Sequence, residues 1–169
     1  MRTPVAILLL SCTVAVAAAE RTFLARFEVT AGAFERGLKE REAVIFHTVG
    51  REVEVERIGK QFSHDPQGMG PFASMRLLER LGKIDLPELD YQKHFEALSK
   101  RPMCLGHSVI TLDGREVEVE MKIGGVHVLF RLWNPDEFLW THDDDKAAAA
   151  VISAVEAFVI TAGKRSFCF

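Results

Sequence analysis

The run Gly114-Arg-Glu-Val-Glu-Val-Glu-Met-Lys-Ile-Gly-Gly-Val-His-Val-Leu-Phe-Arg-Leu-Trp133 alternates apolar and polar residues on both sides of a Gly-Gly pair. Such alternation marks half-buried strands, and a two-residue glycine turn marks a hairpin. Closing the turn at Gly124-Gly125 sets Ile123 opposite Val126, Met121 opposite Val128, Val119 opposite Phe130 and Val117 opposite Leu132. The other face pairs Glu118 with Arg131. A slip of one residue would turn the whole apolar set to solvent, so the register is strongly specified. Upstream, Asp113-Gly114 is a second hairpin turn. Ser108 to Trp133 is therefore expected to form a three-stranded meander. Its outer face also carries Val109, Leu129 and Trp133.

Working outward, Gly50-Arg-Glu-Val-Glu-Val-Glu56 repeats residues 114–120 identically. Ala43–Val49 and Arg51–Ile58 read as two strands around Gly50. Val44, Phe46, Val53 and Val55 share one face, with His47, Glu52, Glu54 and Glu56 on the other. Two glutamate rows lying side by side would repel, so the two copies are expected not to be neighbours in the sheet. Thr22–Val29 is a further strand, and Gly59–Gly70 reads as loop. Gly70-Pro71 opens a helix with Phe72, Met75, Leu78 and Leu81 spaced by three, a stripe widened by Leu77, stopped by Gly82. Asp85-Leu86-Pro87 opens a second, with Tyr91, Phe95 and Leu98 on one face. Thr141-His142-Asp143-Asp144 has the spacing of a capping box and opens a third. The third helix carries Val151, Val155 and Phe158 with Ala147, Ala148 and Ala154. Together these give an α+β domain: an antiparallel sheet of five or six strands, including the C-terminal meander, packed against two or three helices.

The chain has 169 residues and a net charge of −3; 48% of residues are apolar and 27% charged. That excludes a collagen, a long coiled coil, an acidic disordered tail and a nucleic-acid binder driven by bulk positive charge. Arg2, the uncharged run Val5–Ala19 and the small residues Ala17-Ala18-Ala19 have the three regions of a secretory signal. The apolar run is too short to span a bilayer. Residues 1–19 are expected to be cleaved, leaving 20–169 as a single domain in the periplasm or outside the cell. A lipoprotein cut before Cys12 is the alternative. Losing Cys12 leaves Cys104 and Cys168, which in an oxidising compartment are expected to form a disulfide.

No motif of catalysis stands out. The six histidines lack zinc-site spacing. Gly68-Met-Gly70 lacks the remainder of a phosphate loop, and Ser63-His64-Asp65 has triad residue types without triad geometry. No metal or cofactor is expected. Two surfaces remain as candidates for a protein partner that is basic or accepts aromatic side chains. One is the glutamate face, with Glu52, Glu54, Glu116 and Glu118. The other is the connection holding Trp133, Phe138 and Trp140. The first expectation is a small non-catalytic binding module, such as an inhibitor, an immunity-like protein or an envelope accessory protein. The alternative is a small hydrolase whose site is assembled from His47, His127 and Asp136.

Overall fold

The computed structural model describes residues 20–30, 41–59, 66–100, 116–133, 138 and 142–162. Six strands run as β1 Arg21–Thr30, β2 Arg41–Val49, β3 Glu52–Ile58, β4 Gln67–Gly68, β5 Glu116–Ile123 and β6 Val126–Trp133. Among the described residues the helices α1 Pro71–Leu81, α2 Tyr91–Leu98 and α3 Lys146–Ala162 join them. The sheet is antiparallel in the order β4-β3-β2-β1-β5-β6. The expected α+β architecture is what the chain adopts.

The β5–β6 register is the one the alternation specifies, from Ile123 opposite Val126 to Val117 opposite Leu132. Gly124 and Gly125 both take positive φ, 59° and 85°. That pair of conformations makes the turn whose twist matches a hairpin. The other edge of β5 is laddered to β1, from Ala25 opposite Met121 to Thr30 opposite Glu116. The meander's expected first strand, Ser108–Leu112, and its turn lie outside the described residues, but the edge of β5 that this strand was to take is occupied by β1, so the expected three-stranded meander is a two-stranded hairpin set beside β1. The two identical heptapeptides are kept apart by β2 and β1, as charge repulsion requires. A like-charge opposition arises elsewhere, with Glu28 of β1 facing Glu118.

Helices α1, α2 and α3 lie on one side of the sheet. Phe158 of α3 packs edge-on to Phe27 at 5.3 Å and lies 4.8 Å from Phe46; Phe95 of α2 meets Phe130 at 4.9 Å. These rings are fully buried, with Val53, Val117, Val119, Met121, Leu77 and Leu98 around them. A bulge at Leu24 in β1 shifts the register against β2. It sends Leu24 and Ala25 inward together and leaves Phe23 on the opposite face, beside His47.

Four local readings are corrected. Gly59–Gly70 contains β4, two residues that ladder onto β3; its glycine-rich sequence has no alternation to reveal it. Helix α1 buries Ser74, Leu77 and Leu81, while Phe72 and Met75 are 76% and 56% exposed. A strict spacing of three drifts around a helix by 60° per step, and Ser74 belongs inside because its Oγ accepts the Val53 N–H at 2.8 Å. Helix α2 starts after Asp90, whose carboxylate accepts the Lys93 N–H, rather than at Pro87. Helix α3 is capped by Asp145: its Oδ1 accepts from the Ala147 and Ala148 amides, both at 3.0 Å. Asp145 therefore takes the place given to Thr141–Asp144, with His142 in the preceding turn.

Candidate functional site

With α1, α2 and α3 on one side, the opposite face of the sheet, free of helices among the described residues, is made from alternate residues of five strands. Across it run Glu52, Glu54 and Glu56 from β3 and Glu116, Glu118 and Glu120 from β5. Between them lie Arg21 and Arg26 of β1, and on the far side of β5 lies Arg131 of β6. Arg21 spans to Glu54 at 3.4 Å and Glu56 at 3.1 Å. Arg26 pairs with Glu28 and approaches Glu118 at 4.0 Å. Arg131 closes on Glu118, with Nε at 3.2 Å from Oε2. That bond, then the charges of Glu118 and Glu116, push the Arg131 guanidinium pKa up. The face is thus a lattice of acids and bases with acids in excess, rather than a bare acidic plate.

At the β6 end the face turns apolar. Leu129 and Trp133 are 47% and 55% exposed. Beside them, between β6 and the start of α2, lies an open cleft of about 550 Å³. Leu89, Tyr91, Gln92 and Glu96 form its helix wall; His127, Leu129 and Arg131 form its strand wall. Burial raises the Tyr91 phenol to about 12, and its hydroxyl donates to the Pro87 carbonyl at 2.8 Å. It stays protonated near neutrality and acts as a fixed wall. Gln92 bridges the cleft, its Oε1 accepting the Arg131 N–H at 2.7 Å while its Nε2 donates to Glu96 at 2.8 Å.

The sequence candidates separate. Glu52, Glu54, Glu116 and Glu118 share the face opposite α1, α2 and α3. Trp133 is exposed at its margin. Phe138 instead packs into the core, 5.7 Å from the Phe95 ring and 4.6 Å from His142. Trp140, Asp136, Cys104 and Cys168 lie outside the described residues, as do 1–19. His47 and His127 are not brought together. They sit on β2 and β6 with two strands between, about 14 Å at the usual spacing. His127 meets Glu120 at 3.1 Å in the open. His47 is crowded, its Nδ1 buried without a hydrogen-bond partner among the described residues. Desolvation and the Arg21 charge hold its pKa below the ordinary value, against Glu56 and Glu54.

A histidine–aspartate pair that sequence spacing does not suggest joins α2 to α3. His94 Nε2 lies 3.0 Å from Asp145 Oδ1. Burial pushes the Asp145 carboxyl up, but His94 and the Ala148 and Ala147 amides outweigh it and hold it below the usual range. The same oxygen takes both amides and the imidazole, so the pair locks two helices. Gln92 and the cleft were equally hidden, since nothing in Tyr91–Leu98 announces that its polar flank meets β6. Among the described residues no group of three or more His, Cys, Asp or Glu is placed to hold a metal ion, and no helix is long and apolar enough to cross a membrane. Searches against family models, curated proteins and solved structures found no match.

Proposed function

We propose that this chain is a secreted or periplasmic, non-catalytic binding domain that offers the sheet face opposite α1, α2 and α3 to a basic protein partner. The observation that carries this reading is the asymmetry of the two-layer fold. One side of the sheet is sealed by helices. The other carries glutamate rows from β3 and β5 and ends in exposed Leu129 and Trp133. Acid in excess would steer a basic surface into register, and aromatic and aliphatic anchors at the margin would hold it. The compartment rests on the leader-like residues 1–19 and on Cys104 and Cys168 as a disulfide.

The test is affinity capture from an envelope extract. It compares the wild type with a Leu129→Ser, Trp133→Ser double variant and with a Glu54→Lys, Glu118→Lys variant. The expected result is one discrete protein, released by salt and lost with both variants while their melting temperatures stay within a few degrees of wild type. Direct calorimetry with the purified partner should reproduce the order. No salt-sensitive partner in any extract would remove the reading. Mass spectrometry of the exported protein should find Glu20 first and no free thiols.

A further inference from the structure

Among the described residues β6 is an edge strand of the sheet. In the two-residue hairpin Ile123 and Val126 form a hydrogen-bonded pair, and such pairs alternate with non-bonded ones. The main-chain groups of His127, Leu129, Arg131 and Trp133 therefore point away from β5, into the cleft beside α2. Among the described residues, one hydrogen bond reaches them: the Gln92 Oε1 acceptor at the Arg131 N–H. That is the place and direction an added strand's carbonyl would take. The row from His127 to Trp133 runs for about 20 Å of extended chain, at about 3.4 Å per residue.

We propose that this edge receives an extended, basic segment of the partner protein by strand addition, with Gln92 as the plug it displaces. This rests on the binding reading above and says how that binding is made. The charge of the cleft selects the occupant. Arg131 is already engaged by Glu118, which leaves Asp90 and Glu96 as the acidic groups of the helix wall. Glu96 is held by the Gln92 amide. When the incoming carbonyl takes the Arg131 N–H, Gln92 swings away and Glu96 is released. A lysine or arginine on the α2 side of the new strand then pairs with it, while apolar side chains on the other side meet Leu129 and Trp133. A strand read this way gains affinity from its main chain and specificity from alternate side chains.

The test uses nitrogen-15 amide spectra of the mature chain titrated with the blocked peptide Lys-Val-Lys-Val-Lys-Val-Lys. Amide shifts and slowed hydrogen exchange are expected at 127, 129, 131 and 133. Glu-Val-Glu-Val-Glu-Val-Glu should bind at least tenfold more weakly. N-methylation of either all the valines or all the lysines should cost at least tenfold in one of the two series. That control changes the ligand alone, so folding of a variant is not at issue. Gln92→Ala should tighten binding roughly two- to tenfold, the worth of one net hydrogen bond, and Glu96→Gln should weaken it. Shifts confined to the glutamate rows and indifferent to N-methylation would overturn edge pairing while sparing the binding reading. Edge shifts that grow with protein concentration in the absence of peptide would assign the edge to a second copy of the chain and overturn the partner. No shift at millimolar peptide would overturn it as well.

Discussion

Residues 50–56 and 114–120 have one sequence and two structural lives. On the core face they are equivalent: Val53 and Val55 in β3, Val117 and Val119 in β5, are all buried. Their hydrogen bonds are opposite. In β3 the heptapeptide begins with the turn itself, Gly50-Arg51, so its glutamates bond to β2 and its valines point their main chain outward, toward β4. In β5 the turn comes after the heptapeptide, so the valines bond to β6 and the glutamates to β1. Seven identical residues therefore specify a face and a strand, while the position of the turn decides which neighbour each amide meets.

The equivalence of the core faces makes the largest prediction. Val53→Ala and Val119→Ala each remove two carbons from a packed interior and should each cost about 2–3 kcal/mol, read by urea unfolding. If one costs twice the other, the two copies are not doing the same work. Core valines were legible because alternation needs no knowledge of the neighbour. The same holds for the β5–β6 register and for Tyr91, Phe95 and Leu98 on α2. Phe72 and Met75 misled because a helix face is chosen by what lies beneath it.

The amides make the next. β4 is only two residues long, and the Val53 N–H lies beyond its reach, so fully buried Ser74 accepts it. Ser74→Ala should strand that N–H and cost about 1–3 kcal/mol, with faster exchange at the Val53 amide and no change in the β5 amides. A neutral substitution would mean that the β3 copy does not need its substitute partner. Ser74 was illegible as a strand cap for a physical reason: a serine within a helix advertises only its neighbours in sequence, and its partner lies 21 residues away.

The polar faces differ in the arginine that serves them. Arg26 stands between Glu118 and Glu28, which face each other across β1 and β5 with the Glu28 side chain only 11% exposed. Arg21 reaches over β2 to the more open Glu54 and Glu56. Arg26→Ala should cost about 1–2 kcal/mol, since it removes the cation that the two facing carboxylates share; Arg21→Ala should cost less than about 1 kcal/mol. Equal losses in low salt would place the two rows in the same electrostatic setting. None of this was readable from Glu-Val-Glu-Val-Glu, because the cations come from a strand distant in sequence. The cleft at β6 escaped for the same reason, its walls being assembled from α2 and the last strand.

The smallest effect is a pH dependence confined to the β3 side. His47 faces Glu54 across β2 and β3, packs edge-on to Phe23 at 6.1 Å and lies beneath Arg21. Desolvation and then Arg21 depress its pKa below 6.5, with Glu56 and Glu54 opposing. The unfolded chain therefore takes up a proton that the folded chain resists, so stability present above about pH 6.5 declines as pH falls through the folded value. Urea midpoints of wild type and His47→Gln should run parallel from pH 8 to 7. They should then separate below 6.5, with the wild type losing more. Arg21→Ala should shrink that separation, because it removes one of the two causes and leaves the glutamates to favour the charged imidazole. If the separation instead widens in Arg21→Ala, the arginine is not the cation that His47 feels, and the bridge from β1 to β3 does not pass over it in solution.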